Sequence, residues 1–207
     1  MAHLCTANKC LQEMRNLNPQ LMYPKPEKIQ SPTFLGFSDV SQGKSSYGQT
    51  GYVAGIHLPA KGGGIYHLID WISGKKGRIF FSSIGAEILA AATSADRGSM
   101  MAESIQNLLA FQAGLPFVLT VDSNGLYSTL TTLREGSDYR LRPTVERLRD
   151  SFENREISTI QWVPGTENVS DASTKRNLAT FAKLNKVAIT GRLLGSTLNE
   201  AKRAKFT

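Results

Sequence analysis

Residues Leu115 to Asp122, LPFVLTVD, form a short apolar run that opens at Gly114 and Pro116 and closes on Ser123-Asn124-Gly125. Length and punctuation favour a buried strand over a helix. The last residue of the run is a carboxylate. A buried strand that ends in an acid delivers it to the rim of the sheet, where open α/β folds keep their sites. Asp-Ser-Asn-Gly is also good turn chemistry, so one such acid alone decides nothing. The question is whether other elements carry more acids to the same rim.

Thr33 to Val40 reads as a strand with Leu35, Phe37 and Asp39 on one face by period two, which puts a carboxylate on a face that otherwise looks buried. A lone acid there is expensive unless paired or metal-bound. Gln49 to Leu58 and Ile65 to Ile72 read as two further strands of a hairpin joined by the glycine-rich stretch Pro59 to Gly64, and Ser73 to Arg78 reads as a basic turn. Next comes the longest helical pattern of the chain. Ile84, Ile88, Ala91, Ala95, Gly98, Ala102, Ile105 and Leu109 form a stripe of mostly small residues suited to close packing on a sheet, with Ser82 or Ser83 as the N-cap. Glu87 flanks that stripe rather than pointing to water. After the central strand come a short helix near Leu126 to Leu133 and a pattern over Tyr139 to Phe152, whose helix starts near Arg142 because Pro143 fits only a first turn. Ile157 to Val163 reads as a fifth strand, and Ser170-Asp171 opens a last helix running through Phe181. Asp171 is either a helix-start acid or a fourth member of a cluster.

Asp39, Glu87, Asp122 and Asp171 thus each sit on a strand or at a helix start that can face one rim. If they converge, two like charges about 5 Å apart at an effective dielectric near 20 repel by roughly 3 kcal/mol. Such a cluster raises its pKa values or binds cations. Oxygen ligands without histidine or cysteine select Mg²⁺ or Mn²⁺ over Zn²⁺. Two such ions about 4 Å apart serve in-line phosphodiester cleavage. His57 and His67 lie in strand patterns without companion ligands and read as ordinary strand residues.

The 207 residues can bury one core with appended segments, expected as a lead-in helix and linker over 1–31, a domain over 32–182 and a basic tail over 183–207. The net charge of +7 is unevenly placed: from Lys175 onward eight basic residues face the single acid Glu200. A basic tail on a neutral body suggests a polyanion partner, and a solvated helix explains it as cheaply. Cys5 and Cys10, with His3 beside them, are too few ligands for a structural zinc site and read as reduced thiols. No stretch approaches a membrane span and no signal peptide is evident, so the chain reads as intracellular.

The segments SDVS (38 to 41), WISGKK and SSIGAE (71 to 76 and 82 to 87), TVDS (120 to 123), YRL (139 to 141) and WVPGTENVSDASTK (162 to 175) together resemble the ribonuclease H domain of copia-type LTR retrotransposon polyproteins. The match runs in order from about residue 33 to 176, and residues 2 to 31 resemble the stretch joining reverse transcriptase to ribonuclease H. The resemblance implies a ribonuclease H-like α/β fold, a five-stranded mixed sheet of order 3-2-1-4-5 with helices on both faces. It implies endonucleolytic hydrolysis of the RNA strand of an RNA/DNA hybrid with two Mg²⁺ (or Mn²⁺) ions per site. It also implies a reverse transcriptase partner in the same polyprotein and a cytoplasmic, particle-associated or nuclear location. By position Asp39, Glu87, Asp122 and Asp171 match the four metal-binding acids. One departure is the loop Pro164 to Asn168, which lacks the histidine that cellular and retroviral relatives carry before the fourth acid. A non-catalytic nucleic-acid-binding or structural module is the alternative reading. Lys75, Lys76, Arg78, Arg140 and Arg142 are candidates for phosphate contacts. Backbone and small polar groups near Gly36, Ser123 and Asn124 are candidates for meeting the 2′-hydroxyls of RNA.

Overall fold

A computed structural model describes residues 21–25, 31–42, 47–59, 64–79, 82–111, 114–132, 139–175, 177–193 and 202–204. Thr33–Gln42 (β1) pairs antiparallel with Tyr47–Leu58 (β2), which pairs antiparallel with Ile65–Ile79 (β3). On its other side β1 pairs parallel with Phe117–Val121 (β4), and β4 pairs parallel with Thr159–Trp162 (β5). These five strands run 3-2-1-4-5, as expected, and a short sixth, Lys202–Ala204 (β6), adds antiparallel to β5. All five β4 residues are buried, the burial expected of a parallel strand covered on both faces.

Helices cover the two faces unequally. Ser83–Leu109 (α1), Asn124–Thr131 (α2) and Arg142–Glu153 (α3) pack on one face, where Phe34, Ile56, Ile88, Ala91, Ala95, Phe117, Leu119, Leu126 and Leu148 form the larger core. The small-residue stripe does what its pattern predicts: at Gly98 an added Cβ would come within 2.2 Å of the Phe117 ring. Ser82 is the N-cap, its Oγ accepting from the Gly85 amide at 3.1 Å. Leu109, at the end of the stripe, is exposed. On the other face Leu35, Phe37, Val53, Tyr66, Val118, Val169 and Val187 form a second core. Asp39 shares the Leu35 and Phe37 face by alternation along β1.

Several sequence expectations change. The stretch expected as a basic turn, Ser73 to Arg78, continues β3, because Gly74 and Lys75 keep pairing with Thr50 and Gln49 of β2. The helix expected from Asp171 through Phe181 is two helices, Asp171–Thr174 (α4) and Leu178–Thr190 (α5). They part because Lys175 is extended and Asn177 starts a new helix by accepting from the Ala179 amide. The basic tail is not separate from the fold up to residue 193: Lys183 lies within α5, and Val187 and Leu193 are buried in the second core. Part of the expected lead-in docks there too, with the Met22 amide on the Ala188 carbonyl at 2.9 Å and the Tyr23 hydroxyl on the Leu68 carbonyl at 3.0 Å. The lead-in helix with Cys5 and Cys10 lies outside the described residues. His67 hydrogen-bonds the Pro24 carbonyl at 3.0 Å and His57 is buried in β2, so both are strand residues as read. No helix among the described residues is long and apolar enough to cross a membrane.

Candidate metal centre

Three elements meet where β1 and β4 run side by side. Asp39 is on β1, Asp122 follows the last residue of β4, and Asp171 is the first residue of α4. One carboxylate oxygen from each lies within 4.8 Å of the others. Glu87, on the second turn of α1, is close enough that the charges of Asp122 and Asp39 act on it. Of the four acids named from sequence, Asp39, Asp122 and Asp171 thus converge, and Glu87 of α1 lies near enough to feel two of them.

The packing that permits this is tight. Gly51 of β2 lies directly opposite Asp39 in the ladder. A Cβ at Gly51 would come within 2.6 Å of Thr174 Cγ2, 2.8 Å of Ser173 Cβ and 2.9 Å of the Ser170 carbonyl. The missing side chain is what lets α4 lie against the sheet beside Asp39. From β3, the Ser73 hydroxyl donates to the Ser173 carbonyl at 2.6 Å and fastens the same turn.

Each acid is held by specific partners. The Thr174 hydroxyl donates to Asp39 Oδ2. Asn168, fully buried, accepts from the amide and hydroxyl of Ser170 through Oδ1 and donates through Nδ2 to the Ser38 carbonyl at 3.0 Å. The same amide hydrogen-bonds the Asp122 side chain. Trp162 Nε1 donates to the Asp122 carbonyl at 2.9 Å, fixing its backbone. The 3-10 turn Gly165–Glu167 brings Gly165 so close that a Cβ there would stand 3.4 Å from Asp122 Oδ2. Lys175 Nζ lies 2.6 Å from Asp171 Oδ1 and 3.9 Å from Asp39 Oδ2.

The electrostatics are those of a crowded anionic site. Burial raises the Asp39 carboxyl to about 6, with the Thr174 hydroxyl opposing and the Asp122 charge adding. Burial, then the charges of Asp122 and Asp39, raise Glu87 to about 8. Asp122 is raised by burial, against the Asn168 hydrogen bond. Burial alone would lower Lys175, but its bond to Asp171 and the surrounding carboxylates outweigh that and raise it. A set of oxygen ligands with excess negative charge can hold a metal ion, and its chemistry suits a hard divalent cation.

The expected nucleic-acid contacts are placed less uniformly. Lys75 is exposed on β3 and is joined through Gln49 to Ser41, two residues past Asp39, so it lies two strand spacings, roughly 10 Å, from β1 on the same rim. The side chains of Lys76 and Arg78 lie outside the described residues. Arg140 and Arg142 are exposed around the 3-10 turn Tyr139–Leu141. A Cβ at Gly85, two residues before Glu87, would stand 3.0 Å from Leu141 Cδ1, so this turn sits at the start of α1. Ser123 caps α2, its Oγ accepting from the Leu126 amide at 3.2 Å, and Asn124 is exposed at the first position. Gly36 is buried, and a Cβ there would meet the Phe117 and Tyr52 rings at 3.0 Å. Its side of β1 is closed by the larger core. Sequence reasoning passed over Gly51, Asn168, Thr174 and Lys175 as site residues; the run from Trp162 to Lys175 held three of them without marking which would turn inward.

No protein-family model and no curated protein matches the sequence. Among solved structures, the chain is similar to RNase H1 from the halophilic archaeon Halobacterium salinarum, with a TM-score of 0.50 and 17% identity over 69% of this chain and 94% of that one. It is likewise similar to LC11-RNase H1, isolated from compost by a metagenomic approach, with a TM-score of 0.50 and 12% identity over 76% of this chain and 96% of that one. Both likenesses cover almost the whole of the other chain and agree with the strand order 3-2-1-4-5 seen here. The chain has the ribonuclease H-like fold.

Proposed function

We propose that this chain is a divalent-metal-dependent nuclease that hydrolyses the RNA strand of RNA/DNA hybrids, of the kind carried by copia-type retrotransposon polyproteins beside a reverse transcriptase. The observation that carries the reading is the meeting of Asp39, Asp122 and Asp171 within 4.8 Å, with Glu87 alongside, at the end of the central strands. The two solved relatives are named as RNase H1 enzymes, which supports the same choice of substrate.

Asp39, Asp122, Asp171 and Glu87 would hold a pair of Mg²⁺ or Mn²⁺ ions. Bound there, the ions would supply an activated water and charge stabilisation for the leaving oxygen. The remaining work belongs to the protein. Thr174 and the Asn168 amide fix the rotamers of Asp39 and Asp122, and Trp162 holds the Asp122 backbone, so the ligand oxygens are aimed before any cation arrives. The first turn of α2, with Asn124 exposed beside Asp122, is the surface offered to a sugar edge. Lys75, with Arg140 and Arg142 near the start of α1, would track the phosphates on either side.

The deciding experiment incubates the purified chain with a labelled RNA/DNA hybrid and Mg²⁺, beside the Asp122→Asn variant. Cleavage of the RNA strand by the wild type and loss of at least a hundredfold in the variant are expected. No cleavage by the wild type, or equal cleavage by both, defeats the enzymatic reading and leaves a module that only binds nucleic acid.

A further inference from the structure

Lys175 lies just past α4 in an extended conformation, with φ −111° and ψ 128°, and its amide still bonds the Asp171 carbonyl at 2.8 Å. One helical turn separates it from Asp171, so acid and ammonium project to the same side and pair at 2.6 Å. The ammonium also reaches to 3.9 Å from Asp39 Oδ2. The two carboxylates are 9% and 3% exposed, whereas the lysine side chain is 41% exposed. Water has been largely removed from the anions while the cation keeps an open path outward.

We infer that Lys175 is a resident cation that stands in for a divalent ion and competes with it for Asp171 and Asp39. The inference rests on the metal-centre reading above. A divalent ion bonded to Asp171 and an ammonium bonded to the same carboxylate repel each other strongly at such range. One of them has to leave. The lysine is the one with a flexible four-carbon stem and solvent beside it, so it is the group that swings out. Metal binding is then the exchange of a single positive charge for a double one, rather than addition to a bare cluster. The exchange weakens the apparent affinity, and in return the cluster stays assembled when cations are scarce.

Titrating Mn²⁺ into the metal-stripped full chain by calorimetry, for the wild type, Lys175→Gln and Lys175→Arg, tests the inference. Lys175→Gln is expected to bind Mn²⁺ at least tenfold more tightly than the wild type, and Lys175→Arg, which keeps the charge, no more tightly than the wild type. Equal or weaker binding by Lys175→Gln overturns the inference while leaving the metal centre standing. No Mn²⁺ binding by the wild type, or wild-type affinity in Asp122→Asn, overturns the metal centre and this inference with it. A second readout needs no variant of Lys175 to fold. In wild-type protein labelled with ¹⁵N-lysine, the Lys175 ammonium resonance, protected by its ion pair, should vanish or move when Mg²⁺ saturates the site. Its persistence unchanged at saturation also overturns the inference.

Discussion

Asp39→Asn should make the metal-free protein more stable while abolishing the proposed hybrid cleavage. Asp39 is 2% exposed, and burial raises its carboxyl from 3.8 to about 6. A carboxyl displaced that far has an ionised form about 3 kcal/mol less favourable in the folded protein than in the unfolded chain. Asparagine has nearly the same shape, still accepts the Thr174 hydroxyl, and never ionises. Below about pH 4 both versions are neutral at this position and their stabilities should be similar. As pH rises from 4 to 6 the unfolded wild type has already released its proton while the folded one retains it, so folding stability falls. The variant escapes that loss, and above pH 6 the gap is constant. For a chain of this size about 3 kcal/mol corresponds to roughly 6–12 °C in Tm. Thermal and urea unfolding in EDTA at pH 4, 6 and 8, repeated with Mg²⁺ at pH 8, measure it. The advantage of the variant should shrink or reverse with Mg²⁺, because bound cations stabilise only the ionised cluster. A variant no more stable than the wild type in EDTA at pH 8, or a gap that does not widen between pH 4 and 6, would refute the account of Asp39 as a buried anion awaiting cations.

Because burial and neighbouring acids hold Glu87 near 8, Mn²⁺ binding by the wild type should strengthen between pH 6 and 8 as its proton is displaced, and Glu87→Gln should flatten that slope; calorimetry across the range measures it. Gly51→Ala drives a methyl group into Thr174, Ser173 and the Ser170 carbonyl, so we expect a loss of about 1–3 kcal/mol and weaker Mn²⁺ binding as α4 lifts away, with wild-type melting and affinity as the contrary result. Ending the chain at residue 182 removes buried Val187 and Leu193 at about 1.5–3 kcal/mol each, so thermal unfolding should report a destabilised domain before any salt dependence of nucleic-acid binding is read.

Three of the acids were marked by local patterns, whereas position alone left Asp171 open between a helix start and a cluster member. Alternation along Leu35, Phe37 and Asp39, the end of an apolar run at Asp122, and the flank of a stripe at Glu87 survive in the sequence as periods and boundaries. Their partners were not legible, since those are defined by the tertiary fold. Thr174 meets Asp39 across 135 residues of chain, and Asn168 meets the Ser38 carbonyl across 130. Gly51 looked like one more glycine of a hairpin strand, and only the approach of α4 gives it meaning. The continuation of β3 through Gly74 and Lys75 failed to show because pairing with β2 overrides their turn-like composition. The strand Lys202–Ala204 carries no apolar run at all and exists by completing the edge of β5.

Lys175 and Asp171 belong to the same turn, and that fixes the order in which charge accumulates during synthesis. A nascent chain that has emerged only as far as Trp162 carries Asp39, Glu87 and Asp122 but not yet Lys175, the ammonium that pairs with this cluster. The next thirteen residues bring the final anion together with its own ammonium, so closing the constellation leaves the local net charge unchanged. A ribosome-stalled or proteolysed product ending before Ser170 would lack both Asp171 and the ammonium that pairs with it.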